Sequence, residues 1–254
     1  MKSEWKTVRI SDIACLNQNS FSSNDRWDSI NYLDTSNITN NQIDSIQYFN
    51  TSKDKIPSRA KRKVKYNSII FSTVRPNQKH FGIIKKIPEH FLVSTGFTVI
   101  DVDPPKANPD YVYFFLTQDN IINSLHAIAE QSVSAYPSIK PSDLGNLEII
   151  CPSLKTQNKI SNILISLSKK IETNNQINKN LLSQVMAFYE KKFIESENPE
   201  RKQCRVEEYF DITIGKTPPR KEPEWFSTNK SDVNGFPFQI WGHVVYIFLI
   251  VLSI

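Results

Sequence analysis

A seven-residue repeat of apolar side chains in the second half of the chain constrains the fold more than any other feature. Its two seam positions hold Ile160, Leu167, Leu181 and Phe188 in the first and Leu164, Ile171 and Val185 in the second. This spacing indicates a coiled-coil helix, which packs lengthwise against a partner helix. Pro152 precedes the repeat and Pro199 follows it, so the sequence predicts one helix from about Lys155 to Ser196. At ~1.5 Å per residue such a helix is on the order of 60 Å long, which suits a spacer.

Two seam positions hold polar residues, Asn174 and Asn178. A buried Asn in a seam lowers stability but fixes the register and the partner of the helix. The alternative is that the helix bows at this point and that both amides meet water.

Composition bounds the class of protein. A chain of 254 residues can hold one full domain with appendages. Its net charge of +5 is compatible with a polyanionic partner but is also common among ordinary proteins. Cys15, Cys151 and Cys204 are widely spaced and form no CxxC pair, so we expect neither a disulfide framework nor a zinc site, and a reducing cytoplasm fits best. The first residues lack the apolar core of a secretory signal.

The first 150 residues predict one compact α+β domain. Residues 5–16 are typical of a short strand and turn, and the Asn- and Ser-rich residues 17–41 of a loop with brief extended pieces. Short β-branched and aromatic segments then predict strands, a helically spaced segment predicts a helix, and a last strand leads to the long helix. These segments are, in order, 68–74, 81–84, 91–102, the helix 111–130 and the strand 147–151.

The order of these segments resembles that of type I restriction specificity subunits. The similar stretches are Asn67–Arg75, Ser94–Ile100, Pro109–Leu116, Pro137–Leu144 and Ile149–Gln157. Together they agree in order and spacing over about 100 residues. Two departures stand out: Asn67 lies where the family usually has Gly, and Thr156 replaces the usual Glu before Gln157.

The resemblance implies a DNA-reading protein without catalytic residues of its own. It implies an α+β target recognition domain with a mixed or antiparallel sheet, residues 1–154, followed by one long coiled-coil-forming α-helix, residues 155–197. In such enzymes each target recognition domain reads one part of a split double-stranded DNA target, and paired helices set the distance between the parts. Methyltransferase subunits and a restriction/translocase subunit are the implied partners, and S-adenosylmethionine, ATP and Mg belong to them.

A second, partial resemblance follows the helix. Val206–Arg220 is similar to the opening of another target recognition domain, and it echoes Val8–Asn17 as a weak internal repeat. We therefore interpret residues 198–235 as the start of a truncated second domain. An inactive truncated gene product is an alternative.

The apolar tail, residues 236–254, has no counterpart in the family. A frameshift, a membrane anchor and the edge of a sheet are the three explanations, and a frameshift is favoured. The uninterrupted apolar run from Val244 to Leu252 is far shorter than the ~20 residues of a spanning helix, so we expect no membrane association.

Catalytic motifs are incomplete in this chain. Gly215-Lys216-Thr217 lacks the earlier Gly of a phosphate-binding loop. Asn108-Pro109-Asp110-Tyr111 is similar to the adenine methyltransferase loop, but Asp110 replaces its second Pro, and a helix start explains the segment better. Pro109-Asp110 is followed by no acidic-x-Lys pair before the long helix, and the four His residues are scattered. We expect neither a catalytic site nor a metal site; the enzyme alternative is an adenine methyltransferase or a restriction enzyme fragment.

Candidate DNA-binding residues fall into two groups. The first is a basic run opposed only by Asp54, namely Lys53, Lys55, Arg59, Lys61, Arg62, Lys63 and Lys65. It could neutralise several phosphates, although a solvated loop would have the same composition. The second group follows a strand at a Pro turn and comprises Arg75, Asn77, Gln78 and Lys79. Such side chains are suited to bidentate reading of guanine or adenine edges.

A single seam leaves the long helix in need of a partner. The pairing residues would be Ile160, Leu164, Leu167, Ile171, Asn174, Asn178, Leu181, Val185 and Phe188. We predict that two copies of the chain pair antiparallel through this helix and read a palindromic split target.

Overall fold

The structure, a computed structural model, describes residues 5–22, 24–131 and 137–195. The predicted second domain, residues 198–235, and the apolar tail, residues 236–254, lie outside the described residues. Within the described ranges no helix combines the length and the hydropathy that a membrane span requires.

The described chain contains twelve strands and five α-helices. The strands are β1 (Lys6–Arg9), β2 (Ala14–Leu16), β3 (Ser29–Leu33), β4 (Ile38–Thr39), β5 (Gln42–Ile43), β6 (Gln47–Asn50), β7 (Ala60–Lys63), β8 (Ile69–Ser72), β9 (Phe81–Ile83), β10 (Phe91–Ser94), β11 (Phe97–Val102) and β12 (Glu148–Cys151). The helices are α1 (Ile10–Ile13), α2 (Pro109–Leu116), α3 (Asp119–Glu130), α4 (Pro141–Gly145) and α5 (Leu154–Tyr189). Two 3-10 turns, Thr35–Asn37 and Pro76–Gln78, also occur.

Two four-stranded sheets form the body of the domain. The central sheet has the antiparallel order β2-β11-β8-β9, and the outer sheet has the order β6-β3-β10-β7. In the outer sheet β10 runs parallel to β3, while the other pairs are antiparallel. This mixture of antiparallel and parallel pairing, with one long helix, confirms the predicted α+β class.

The central sheet is buried on both faces. Ile100 and Val102 of β11 pack against helices α1 to α4, whereas Phe97 and Val99 on the other face pack against the outer sheet. The far face of the outer sheet carries Tyr32 and Leu92 and is covered by partly buried aromatic residues and Ile56. The layers are therefore helices, central sheet and outer sheet, which explains why β8, β10 and β11 are buried along their whole length.

The structure refines two predicted segments. Residues 17–41, predicted as a loop with brief extended pieces, contain the five-residue strand β3; its alternate residues are buried against different layers, so the short segment shows no clean apolar alternation. The predicted helix 111–130 is two helices, α2 and α3. The break falls at Thr117, whose hydroxyl donates to the carbonyl of Tyr113 at 3.0 Å and closes the last turn of α2.

Helix α5 confirms the predicted long helix. Its 36 residues correspond to about 54 Å at 1.5 Å per residue. At its start the Ser153 hydroxyl lies 3.4 Å from the Thr156 amide, which donates to it. Residues Glu190–Ile194, which follow α5 in the sequence, form a short π-helix.

Candidate nucleic-acid interface

One end of the two sheets gathers several predicted DNA-binding residues, and we call it the loop end. The turn Thr95–Gly96 connects the outer sheet to the central sheet there. Thr95 donates its amide to the carbonyl of Arg59 at 2.9 Å, and Thr73 donates its amide to the carbonyl of Gly96 at 2.9 Å. Arg59, from the basic run, and Thr73, which leads to Arg75, therefore flank the same turn. The structure thus brings part of the first predicted group close to the second.

The second predicted group forms a compact turn at the loop end. Arg75 and Lys79 bracket the 3-10 turn Pro76–Gln78 and both adopt left-handed backbone conformations, with φ of 47° and 58°. The Arg75 amide donates to the carbonyl of Pro137 at 3.0 Å, which fixes the start of the turn. Asn77 and Gln78 are exposed on it. Left-handed conformations of residues other than glycine are costly and concentrate at functional sites.

The hairpin β4–β5 lies directly beside this turn, and the sequence reasoning missed it. Its tip residues, Asn40 and Asn41, have φ of 47° and 64°, as the two central residues of a type I′ turn require. The Asn40 amide donates to the carbonyl of Lys79 at 2.9 Å. The signal that could have revealed the hairpin is the Asn-Asn pair between Ile38-Thr39 and Gln42-Ile43.

The basic run is not a single cationic face. Lys53 and Lys55 are exposed on the loop that follows β6, and Arg59 is exposed at the loop end. Lys61, Arg62 and Lys63 belong to β7, which is an edge strand of the outer sheet, and a register shift opposite Val93 and Ser94 interrupts its alternation. Lys65 follows β7 at the opposite end of the sheets, before β8.

Three of the predicted lysines have carboxylate partners. The Lys63 ammonium lies 2.5 Å from the Asp25 carboxylate and 5.2 Å from the centre of the Trp27 ring. This hydrogen bond, together with the Ser22 amide, holds the pKa of Asp25 below its usual value. Lys65 lies 3.9 Å from the buried Asp101, and Lys79 lies 2.8 Å from Asp119 at the start of α3. These contacts favour positioning roles for the three side chains.

Arg62 is half-buried on β7, and its Nε has no hydrogen-bond partner within the described part of the chain. Its exposed neighbour Lys61 lies 6.0 Å from the centre of the Phe21 ring. Lys61 is therefore accessible to a phosphate, whereas Arg62 is half-buried.

A polar joint attaches α5 to the domain. Gln157 is only 1 % exposed; its Oε1 accepts from the Asn108 amide at 2.9 Å and its Nε2 donates to the carbonyl of Pro152 at 2.8 Å. Asn108 caps α2, because its Oδ1 accepts from the Tyr111 amide at 2.9 Å. Its Nδ2 donates to Asn158 at 2.7 Å. The segment Asn108–Tyr111, which is similar to a methyltransferase loop, is thus the start of a helix. Both the backbone amide and the side-chain amide of Asn108 form hydrogen bonds there.

Beyond this joint the seam of α5 faces solvent in the single chain. Ile160 and Leu164 are half-buried, and Asn174 and Asn178 are exposed. Further along, Leu167 is 51 %, Ile171 62 % and Leu181 52 % exposed. Val185 and Phe188 are also exposed, at 42 % and 61 %.

Titratable and thiol groups form no metal site in residues 5–22, 24–131 and 137–195, since no three His, Cys, Asp or Glu side chains converge there. Of the thiols in these ranges, Cys15 is exposed and Cys151 is half-buried, and both are free. Burial raises the pKa of the Cys151 thiol, which makes this thiol less reactive.

Comparison with known proteins places the chain in a family. Residues 2–183 match the model of the type I restriction modification DNA specificity domain, so the chain belongs to that family. It is 27 % identical over 193 residues to the specificity subunit of the type I restriction enzyme HindI from Haemophilus influenzae. The alignment covers 76 % of this chain and 41 % of the HindI subunit, so the chain spans less than half of that relative's length.

Two solved structures share the fold. One is the HsdS subunit of Thermoanaerobacter tengcongensis, with 22 % identity and a TM-score of 0.59. The other, with 23 % identity and the same TM-score, comes from work on assembly and conformational transition of the type I R-M system. Each comparison covers 85 % of this chain and 57 % of the other chain. The match to the family model confirms the family resemblance inferred from the sequence.

Proposed function

We propose that this chain supplies DNA sequence specificity to a type I restriction-modification enzyme and reads one part of a bipartite duplex target. The observation that carries the proposal is the loop end. There the turn Thr95–Gly96 is hydrogen-bonded to Arg59 and to Thr73, and Thr73 leads into the turn that carries Arg75, Asn77 and Gln78. Amide side chains on rigid turns suit base edges, and flanking cations suit phosphates. Family membership supports the same role.

In this proposal the remaining cations bind the DNA backbone or position the loops. Lys53, Lys55 and Lys61 are exposed and neutralise phosphates. Lys63, Lys65 and Lys79 have carboxylate partners and hold the loops and strands in place. The loop after β6 crosses from one end of the outer sheet to the other, so its cations would follow the DNA backbone away from the bases.

The proposed organisation is one target recognition domain, residues 1–154, and one helical spacer, residues 155–197. The exposed seam of α5 pairs with a second copy of the chain, antiparallel, so that two domains read the halves of a palindromic split target. Methyltransferase subunits and the restriction/translocase subunit bind this assembly and contribute S-adenosylmethionine, ATP and Mg. Catalysis then lies in the partner subunits, which act in the cytoplasm.

Co-expression with a cognate methyltransferase subunit tests the proposed function. The chain and this subunit would be expressed in a methylation-free host that carries a plasmid library with random inserts, and methylated positions would be mapped by sequencing. The expected result is one split motif with symmetric halves. Methylation without a motif, or none above the level of the methyltransferase subunit alone, would contradict the proposal.

A further inference from the structure

Several polar contacts join the hairpin β4–β5 to the adjoining turn and strand. The Asn40 amide donates to the carbonyl of Lys79, and the Asn41 amide donates to the carbonyl of Phe81, both at 2.9 Å. The Asn41 side chain adds a third hydrogen bond, because its Oδ1 accepts from the Ile83 amide at 2.8 Å. A fourth contact joins the His80 ring Nδ1 to the carbonyl of Ile38 at 2.6 Å. The hairpin and the turn Pro76–Gln78 therefore share one rigid frame.

Gly82 shows independently how closely the hairpin approaches β9. A Cβ built at Gly82 would lie 2.7 Å from Ile38 Cδ1 and 2.8 Å from Asn41 Oδ1. Both atoms are side-chain ends, so a larger residue at this position would displace the side chains of Ile38 and Asn41 and, with the latter, the hydrogen bond that Asn41 Oδ1 accepts from the Ile83 amide. Glycine leaves room here for the close approach of the two segments.

Most of the side chains that this frame presents are uncharged and polar, and one apolar side chain of β5, Ile43, is 42 % exposed. Thr39, Asn40 and Gln42 are exposed on the hairpin, and Asn77 and Gln78 are exposed on the turn. The cations Arg75 and Lys79 bracket the turn. Surfaces that bind other proteins are rich in aromatic and apolar anchors at their centre, whereas amide groups flanked by cations match the edges and phosphates of a nucleic acid.

We propose that the tip of the hairpin is part of the base-reading surface. In this proposal, which rests on the proposed function, Thr39 and Asn40 enter the major groove beside Asn77 and Gln78. Asn41 and Gly82 are positioning residues, because they set where the hairpin lies relative to strand β9. A two-stranded ribbon fits the major groove, which is about 12 Å wide, and Asn reads adenine through its N6 and N7 atoms. The hairpin thus contributes to specificity together with the turn Pro76–Gln78.

Methylation mapping with the full chain and its methyltransferase subunit tests this assignment, with the random-insert plasmid library as the probe. Asn40→Ala should relax discrimination at one or two adjacent motif positions by about tenfold, while total methylation changes by less than about twofold. Asn77→Ala should relax a neighbouring position. The matched control Asn162→Ala removes an exposed Asn on α5, away from the loop end and outside the seam, and should leave the motif unchanged.

The positioning role of Asn41 has its own readout. Asn41→Ala should relax the same positions as Asn40→Ala, because the hairpin loses its hydrogen bond to Ile83. Asn41→Asp keeps an acceptor at Oδ1 and should restore the motif, which a purely structural loss of stability would not. Gly82→Ala should act as Asn41→Ala does, provided that circular dichroism shows a folded protein.

Two outcomes separate this inference from the proposed function. If the wild-type chain yields a motif that Asn40→Ala and Asn41→Ala leave unchanged, the inference is overturned and the proposed function stands. If the wild-type chain yields no motif at all, both are overturned.

Discussion

The Oε1 atom of Gln157, near the start of the long helix, accepts the backbone amide of Asn108, the residue that caps helix α2, at 2.9 Å. The same Asn108 also accepts from the hydroxyl of Ser161, one turn further along α5, at 3.2 Å. Gln157 and Ser161 are both buried, although most of α5 is exposed. The direction in which α5 leaves the domain therefore depends on a few polar groups.

Gln157→Leu should destabilise the domain by about 2–4 kcal/mol. The substitution keeps the volume of the side chain but leaves the Asn108 amide and the Pro152 carbonyl without their partner, and each unsatisfied buried group costs about 1–3 kcal/mol. Urea unfolding followed by circular dichroism would measure the change. Gln176→Leu on the exposed part of α5 is the control and should change the free energy of unfolding by less than about 0.5 kcal/mol. Equal effects of both variants would refute the role of the joint.

Asn67 has a left-handed backbone conformation, and substitutions at this position would measure what that conformation costs other residues. It stands where the family usually has Gly, and its φ of 70° is left-handed, a conformation that Gly and Asn tolerate. We expect Asn67→Gly to preserve stability within about 1 kcal/mol, whereas Asn67→Val should cost about 1–2 kcal/mol more. Thermal unfolding would measure both. Asn19→Val, at an exposed position outside the left-handed region, should have a much smaller effect, and a cost as large as that of Asn67→Val would rule out this explanation.

The sequence predicted the elements whose signal is local. The heptad repeat predicted α5, and the β-branched segments predicted β8 to β12, because periodicity and side-chain type suffice there. The bounds of strand β3 were not predicted, because Leu33 and Tyr32 are buried on opposite faces by layers that come from distant parts of the chain. The break between α2 and α3 was not predicted either, since the apolar spacing continues through Thr117 while the backbone does not.

The sequence predicted which types of residue form the candidate site, but it did not predict which of them lie close together. Its cations and amides were evident from the sequence, but the proximity of Arg59 to Arg75 depends on the turn Thr95–Gly96, which joins two sheets. The carboxylate partners of Lys65 and Lys79 lie 36 and 40 residues away, at Asp101 and Asp119. Only the tertiary fold could therefore separate the paired cations from the accessible ones.

Tyr113 makes the free energy of unfolding of the domain depend on pH in the alkaline range. Burial raises the pKa of its phenol to about 12, with a smaller contribution from the charge of Asp110. Because the pKa in the folded state exceeds the unfolded value of 10.0, the associated stability is fully present below pH 10 and is lost as the pH rises through 12. The loss amounts to about 2–3 kcal/mol.

Measurement of unfolding free energy between pH 9 and about 12.5 would test this expectation for Tyr113. Tyr113→Phe should flatten the alkaline part of the profile, because the phenol no longer titrates. Tyr48→Phe, at an exposed tyrosine, should leave the profile as in the wild type. An unchanged profile in Tyr113→Phe would contradict the assignment.

Arg59 and Lys65 should differ in their contribution to DNA affinity although both belong to the basic run. Arg59 is exposed at the loop end, whereas Lys65 lies at the opposite end of the sheets, beside Asp101. Arg59→Gln should reduce the slope of log affinity against log salt by about 0.9, the effect of one phosphate contact, and Lys65→Gln should leave it unchanged. Fluorescence anisotropy with a labelled random-sequence duplex would measure both slopes. Equal slopes for the two variants would place the phosphate contacts elsewhere.

If the long helix pairs through its heptad seam, two neighbouring leucines should contribute differently to dimer stability. Leu181 lies in the seam and is 52 % exposed, while Leu182 lies one position outside it and is 64 % exposed. If exposed apolar area alone drove association, the two should matter equally; if the heptad seam drives it, only Leu181 should. Light scattering at micromolar concentration should therefore give a dimer for the wild type and for Leu182→Glu, and a monomer for Leu181→Glu. A monomeric wild type would refute the pairing.

The direction of pairing can be measured on the same helix. A spin label at Asn162→Cys, in a background with the native cysteines replaced by serine, lies twelve residues from the midpoint of the seam at Asn174. Antiparallel helices that cross at this midpoint would hold the two labels about 35 Å apart, whereas parallel helices in register would hold them within about 15 Å. The longer distance would place the two domains at opposite ends of the paired helices, which is the arrangement that we propose for reading a split, palindromic target. The shorter distance would put both domains at one end and exclude that arrangement.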